Sequence, residues 1–148
     1  MEILVENHQD LLDINTKSVP GVVKSVLSNE NVSCDEIMIY FVNNRTICDL
    51  HKIHFNDPSP TDCISVQVDP IGSKPCFLGE IYISTKAALD YCREDEDSVY
   101  EELTLYLVHG LLHLIGYDDL DPEKETQMRL AEKRNMDYLI VEKMIISN

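Results

Sequence analysis

Apolar residues follow two different spacings along the chain, and these spacings divide it into strands and helices. Strands are predicted where β-branched and aromatic residues crowd into short runs, at residues 1–9, 35–42, 63–68 and 77–84. Helices are predicted where apolar residues recur every three or four positions, at residues 15–27, 45–55, 85–93, 98–114 and 121–144. The turn-rich residues 69–75 are short enough to join the last two strands as a hairpin. This order predicts an α+β (α/β-like) fold in one domain over residues 1–148, with a small mixed four-stranded sheet flanked by helices.

The limits of the last two helices depend on a few polar residues. We interpret residues 94–97, EDED, as an acidic link. Ser98, with Glu101 three residues later, then has the spacing of a capping box at the start of the following helix. The last helix is expected to begin at Asp121. Its buried face is expected to carry Met128, Ala131, Tyr138 and Val141.

Composition limits the class of protein. Apolar residues make up 44% and charged residues 26% of the chain, which is typical of a soluble globular domain. No stretch approaches the roughly 20 apolar residues of a membrane span, and the first ten residues lack the basic start of a secretion signal. The five cysteines form no CxxC pair, so neither a disulfide framework nor a thiolate zinc knuckle is indicated. We therefore expect a cytoplasmic protein that does not contact a membrane.

The net charge of −15 restricts how such a protein can bind nucleic acid. Extended polyphosphate-binding surfaces gain affinity by placing many lysines and arginines against phosphates. This chain has 12 Lys and Arg residues against 27 Asp and Glu residues. Any contact with RNA is therefore expected to be local.

The segment HGLLHLIGYDD at residues 109–119 carries a candidate metal site. His109 and His113 are four positions apart, so on a helix their imidazoles lie on one face, one turn apart. Gly116 can end that helix in the left-handed conformation and turn the chain back, which would bring Asp119 towards the two histidines. Two imidazoles and a carboxylate are accepted zinc ligands, and three protein ligands with a fourth position open is the catalytic pattern. The sequence thus predicts one zinc-like ion per chain in a metallohydrolase-like domain.

Two other interpretations of this segment stay open. The spacing matches that of the metzincin-like metallopeptidases, but these carry a glutamate directly after the first histidine as general base, and that position is Gly110 here. The two histidines can also be an ordinary pair without a metal. The combination with Gly116 and Asp119 inside an otherwise apolar helix favours the metal site.

The same residues resemble a known family. HGLLHLIGYD at residues 109–118 is similar to the HGxLHLxGYD(H) signature of the YbeY family and departs from it at the following position. Upstream, LHKIHFNDPSPTDCISV at residues 50–66 resembles the family segment LNxxYRxKDxPTDVLSF, and LGEIYI at residues 78–83 resembles its LGDIxI strand. Met128 and Glu132 fit its last helix. The resemblance extends over roughly residues 35–140.

The resemblance implies a function. Members are zinc-dependent, single-strand-specific endoribonucleases that act in ribosomal RNA maturation and ribosome quality control, so rRNA and the small ribosomal subunit or a ribosomal protein are the implied partners. Two departures matter. Asp119 replaces the family's third histidine, and Phe55 replaces an arginine. If that arginine steadies phosphate, this chain must use His54, Lys52 or Arg45 instead, or be a weaker nuclease.

The residue that handles the proton is less clear from the sequence. The metal motif contains no evident general base, and His54 is a candidate if the helix at residues 45–55 borders the cleft. The alternative from another class is a ribosome-assembly factor that keeps a structural metal and binds rRNA or a basic ribosomal protein without cutting. Cleavage of RNA with and without a chelator distinguishes these two functions.

Overall fold

A four-stranded mixed sheet forms the centre of the fold in the computed structural model, which describes residues 1–93 and 95–148, with the side chains of residues 96 and 97 outside that description. The strands are β1 (Glu2–His8), β2 (Glu36–Val42), β3 (Cys63–Gln67) and β4 (Phe77–Ser84), in the spatial order β1-β2-β4-β3. β2 is parallel to both β1 and β4, whereas β3 is antiparallel to β4. The predicted mixed sheet and the hairpin of its last two strands are confirmed.

Alternation along the strands separates the two faces of this sheet. In β2 the side chains of Ile37, Ile39 and Phe41 are fully buried, whereas the intervening Met38 and Tyr40 are only partly covered. Successive side chains of a strand point to opposite faces, so one face of the sheet carries the main core and the other is more open. The helices that carry the candidate metal site pack on the core face.

Five α-helices are described: α1 (Val19–Asn29), α2 (Asn44–Phe55), α3 (Thr85–Cys92), α4 (Glu96–Leu114) and α5 (Pro122–Val141), with a short 3-10 turn at Thr16–Ser18 before α1. Helix α4 packs against β3 and β4 on one side and against α1, α3 and α5 on the others. Its apolar residues are buried around most of its circumference, as expected of a helix enclosed by other elements. The metal motif therefore begins on the most enclosed helix of the fold.

The start of α4 differs from the capping-box prediction. The helix begins at Glu96, so residues 96 and 97 of the expected acidic link belong to it, while residue 94 lies outside the described residues. Asp95 occupies the N-cap without a side-chain hydrogen bond, and Ser98 Oγ donates to the Asp95 carbonyl at 3.1 Å. The capping-box prediction is wrong because Ser98 lies one turn inside the helix and caps nothing.

The buried face of α5 also differs in part from the prediction. Met128 and Ala131 are fully buried as expected, but Tyr138 and Val141 are 46% and 76% exposed. The buried residues of α5 instead follow one another at helical spacing and form a single inner stripe, made of Met128, Ala131, Glu132, Asn135 and Leu139. The prediction failed because the inner stripe contains two polar residues, and hydrophobicity alone assigns these to the outside.

Candidate metal centre

Helix α4 places the imidazoles of His109 and His113 one turn apart on the same face. Their Nε2 atoms lie 3.0 Å from each other, and the two rings meet edge to face with centroids 4.5 Å apart. Both side chains are partly buried. The helix thus aims two nitrogen lone pairs at one small volume, as the sequence predicted from the four-residue spacing.

The opposite nitrogen of each ring has a hydrogen-bond acceptor. His109 Nδ1 lies 2.6 Å from Glu132 Oε2, and His113 Nδ1 lies 3.1 Å from the Tyr117 carbonyl oxygen. A carboxylate and a carbonyl can only accept, so in the neutral imidazoles each Nδ1 carries the proton and each Nε2 is left with a bare lone pair. Two such lone pairs 3.0 Å apart repel each other, and a shared cation removes that repulsion.

The turn after α4 brings a carboxylate to the same place. Gly116 has φ of +111° and follows the helix, with its amide donating to the His113 carbonyl at 3.2 Å and the Tyr117 amide donating to the Leu112 carbonyl at 3.0 Å. These two bonds are the Schellman arrangement, which glycine allows at low cost. The reversed chain delivers Asp119, and one ligand atom from each of His109, His113 and Asp119 lies within 4.8 Å of the others. The three residues chosen from the sequence can therefore hold a metal ion.

Two residues of α5 support this group and were not assigned a role from the sequence. Glu132 accepts from His109 Nδ1, and Arg129 Nη1 donates to both of its carboxylate oxygens, at 2.6 and 2.7 Å. An ordered carboxylate behind a histidine fixes the ring and increases its basicity towards a metal. In the sequence, Glu132 stood out only through its fit, with Met128, to the family's last helix.

Burial and neighbouring groups shift the pKa values of Glu132 and His113. Burial raises the pKa of Glu132, but hydrogen bonds from His109 and Arg129 outweigh it and the pKa is lowered, so the carboxylate stays ionised. Burial, followed by the proximity of His109, lowers the pKa of His113. The imidazole of His113 therefore favours the neutral form that a metal ligand needs.

His109 and Asp119 of this group line a cavity of about 480 Å³, here called the metal cleft. Besides His109, Asp119 and Glu132, its walls include Thr61, Asp62, Glu102, Leu105, Tyr106 and Arg129. His54 is exposed on α2 and does not line this cleft. The structure thus brings His109, His113 and Asp119 together and leaves His54 outside.

The residue that follows His109 faces the sheet. A Cβ atom at Gly110 would lie 2.8 Å from Ile81 Cγ2, and the Gly110 carbonyl accepts from Ser65 Oγ at 3.0 Å. Helix α4 can approach the sheet this closely only because this position has no side chain. The glutamate that a metzincin-like peptidase needs at this position therefore has no room here, which argues against the peptidase alternative.

The α+β fold, with a His-His-Asp group at the end of its central helix that could hold a metal ion, places the chain in the class of candidate metal-binding proteins. The model of a family described as Endoribonuclease YbeY matches residues 4–140 of the chain. The chain belongs to the YbeY family.

Relatives similar to this chain cover almost its whole length. A protein named Endoribonuclease YbeY from Protochlamydia amoebophila (strain UWE25) is 46% identical over 138 residues, covering 93% of this chain and 92% of that protein. One of the same name from Chlamydia caviae is 35% identical over 153 residues, covering 100% of this chain and 97% of that protein. The solution structure of TM1509 from Thermotoga maritima has the same fold, with a TM-score of 0.64 at 19% identity over 95% of this chain and 90% of that one.

Proposed function

We propose that this chain is a metal-dependent endoribonuclease that cleaves single-stranded RNA and acts in ribosomal RNA maturation and ribosome quality control. It holds one zinc ion through His109, His113 and Asp119. The endoribonuclease part rests on family membership and on relatives of that name over nearly the full chain. The metal part rests on the geometry of the site.

The observation that carries the metal assignment is the convergence of three donor atoms on one point. Nε2 of His109 and Nε2 of His113 lie 3.0 Å apart while their Nδ1 atoms have hydrogen-bond partners on the opposite side, and an Asp119 carboxylate oxygen lies within 4.8 Å of one nitrogen of each ring. Imidazole nitrogen and carboxylate oxygen together suit zinc better than calcium or magnesium, which prefer oxygen alone. Three ligands from the protein leave a position for water or substrate, which favours a catalytic centre over a structural one.

A divalent cation at this centre supplies Lewis acidity towards a phosphoryl oxygen or a water molecule. The protein residues have separate tasks. Glu132 and the Tyr117 carbonyl fix the two imidazoles in the tautomer with Nε2 available. Leu105 and Tyr106 complete the cleft wall beside His109. The imidazoles of His109 and His113 are therefore already oriented when a phosphodiester enters the cleft.

Proton transfer has two candidates. His54 is the candidate from the sequence, but it is exposed on α2 and does not line the metal cleft. Glu102 lines the metal cleft, and burial raises the pKa of its carboxyl group. A carboxyl group with a raised pKa inside the cleft is better placed to hold or release a proton near the phosphodiester.

The ribosomal partners and the compartment belong to the same proposal. A net charge of −15 disfavours broad contact with bare RNA and suits a basic ribosomal protein of the small subunit as docking partner. All five cysteines are free, which fits the reducing cytoplasm. No helix in the described residues combines the length and apolarity of a membrane span.

The proposal is tested by cleavage of an end-labelled single-stranded RNA by protein reconstituted with zinc. We expect cleavage that a chelator abolishes, loss of cleavage in His113→Ala, and normal cleavage in the control His8→Ala, since His8 is an exposed residue of β1. A matched double-stranded RNA should remain intact. RNA binding without cleavage in every sample would favour the non-catalytic assembly factor instead.

A further inference from the structure

We propose that Arg129 binds a phosphate of the RNA beside the metal centre, a role that rests on the proposed function. Phe55 occupies the position at which the family resemblance implies an arginine, so a phosphate contact must come from another residue. It follows from the position of Arg129 in the cleft, from the donors of its guanidinium group and from the charge of the cleft walls.

Arg129 stands where two cavities meet. It lines the metal cleft together with His109 and Asp119, and it also lines a neighbouring cavity of about 610 Å³ between α3, α4 and α5. Of the described residues around the metal cleft, Arg129 is the one lysine or arginine. An RNA strand that passes from the metal centre into the neighbouring cavity must pass its guanidinium group.

The guanidinium group is held on one side and available on the other. Nη1 donates to both oxygens of Glu132, at 2.6 and 2.7 Å. Among the side chains and backbone groups that the structure describes, no hydrogen-bond acceptor is found for Nε or Nη2 of Arg129. The Nε and Nη2 edge of an arginine is a fork whose spacing matches two oxygens of a phosphate. Glu132 thus fixes the side chain while leaving this fork for a ligand.

The charge of the cleft walls favours a cation at this position for phosphate binding. The cleft walls carry four carboxylates, those of Asp62, Glu102, Asp119 and Glu132. Carboxylates repel a phosphodiester in a partly buried site, where solvent screens charges poorly. Arg129 is the one guanidinium on the described walls that opposes this repulsion, apart from any cation held by the ligand group itself.

The cations suggested by the sequence lie elsewhere. Phe55 is 60% exposed on α2 and packs its ring against His51, with centroids 5.5 Å apart. Arg45, Lys52 and His54 belong to the same helix, and none of them lines the metal cleft. The cation that can contact a phosphate in the metal cleft therefore belongs to α5 and not to α2, the helix indicated by the family resemblance.

The simpler role for Arg129 is to hold Glu132 and, through it, His109. The two roles predict different measurements. A residue that only supports the metal centre affects metal content and not RNA affinity at full metal occupancy. A phosphate-binding residue affects RNA affinity while metal content stays at the parent value.

The test compares Arg129→Gln and Arg129→Lys with Lys24→Gln, a matched loss of one positive charge at an exposed position of α1. Each protein is loaded with zinc, its metal content is measured, and its affinity for a short 2′-O-methyl oligoribonucleotide is determined at several salt concentrations. We expect Arg129→Gln to keep the metal, to bind the oligonucleotide roughly tenfold more weakly or worse, and to lose about 0.7 from the slope of log affinity against log salt. Arg129→Lys should bind less tightly than the parent, since it keeps the charge and loses the fork.

Unchanged affinity in both Arg129 variants at full metal content would overturn the assignment, and so would loss of metal from both. If Arg129→Gln fails to fold, Arg129→Lys decides, because parent-level affinity in that variant contradicts a bidentate phosphate contact. The parent's cleavage assay separates the two proposals. A parent that binds this RNA without cleaving any RNA refutes the endoribonuclease proposal, while the comparison of affinities still tests Arg129.

Discussion

Single residues decide whether the metal centre forms, and Asp119 is the one at which this chain departs from the family signature. It is exposed and follows the Gly116 turn, whereas its neighbour Asp118 accepts from the Leu120 amide at 3.2 Å and lies 3.7 Å from Lys124 Nζ. The two adjacent carboxylates therefore have different surroundings. Only Asp119 belongs to the group whose ligand atoms converge.

Substitution of these two aspartates should separate ligand from neighbour. We expect Asp119→Ala to weaken zinc binding strongly, Asp119→His to keep the ion, and Asp118→Ala to retain about one zinc per chain. Elemental analysis of the three dialysed variants measures this. Full zinc content in Asp119→Ala combined with loss in Asp118→Ala would show that the third ligand has been assigned to the wrong residue.

The convergence of the three candidate ligands was predictable from the sequence, and the contacts that support them were not. The spacing of His109 and His113 and the glycine two residues before the aspartates are local features, so helix geometry and turn chemistry were enough. Glu132 and Arg129 reach the site from α5, and the angle at which α5 crosses α4 depends on tertiary packing. No local pattern specifies that contact.

At the level of elements, the close approach of α4 to the sheet fixes where the ligands lie. Gly110 permits this approach, and Ser65 of β3 donates to its carbonyl. The strands and helices themselves were predictable, since their apolar periodicities are local. The start of α4 and the inner stripe of α5 were mispredicted, because polar residues at those positions satisfy interactions that only the folded chain provides.

A pair of glycine substitutions tests this approach. In Gly110→Ala the new methyl group meets buried Ile81 at 2.8 Å, so we expect a loss of about 1–3 kcal/mol in the free energy of unfolding. In Gly21→Ala the methyl group meets Met144 at an ordinary 3.6 Å, and helix propensity should add up to about 1 kcal/mol. Denaturant titration measures both. Equal stability of the two variants would contradict the close contact.

Helices α1 and α5 are joined by a buried carboxylate near the metal turn. Glu30, at the end of α1, accepts from Tyr117 Oη at 2.7 Å, from Arg134 at 3.0 Å and from Asn135 at 3.1 Å. Burial raises its pKa, but these hydrogen bonds outweigh burial and the pKa is lowered. The cluster also fixes Tyr117, whose carbonyl orients His113.

The lowered pKa of Glu30 gives a pH-dependent contribution to stability. Because the folded pKa lies below the unfolded one, the contribution is complete above the unfolded pKa and is lost as pH falls through the folded pKa. Glu30→Gln should therefore cost about 2 kcal/mol near neutral pH and less in acid. Unfolding by urea at several pH values measures this, with Glu142→Gln at an exposed position as control. A cost that does not change with pH would contradict the ionised cluster.

For the molecule as a whole, the acidic charge sets how RNA is bound. A net charge of −15 leaves a local contact at the metal cleft, so few counterions are released on binding. We expect the logarithm of affinity for single-stranded RNA to fall with log salt at a slope of only about −1 to −2. Fluorescence anisotropy at increasing salt measures this slope. A slope several times steeper would reveal an extended basic surface.

On the proposed function, RNA cleavage requires the ion held by His109, His113 and Asp119. The most direct measurement is a chelator titration of the zinc-loaded protein in which bound metal and the rate of single-stranded RNA cleavage are determined in the same samples. We expect the cleavage rate to fall in proportion to the fraction of chains that hold zinc and to return when zinc is restored. Cleavage that persists in chains stripped of metal, or fully loaded protein that cleaves no RNA, would contradict it.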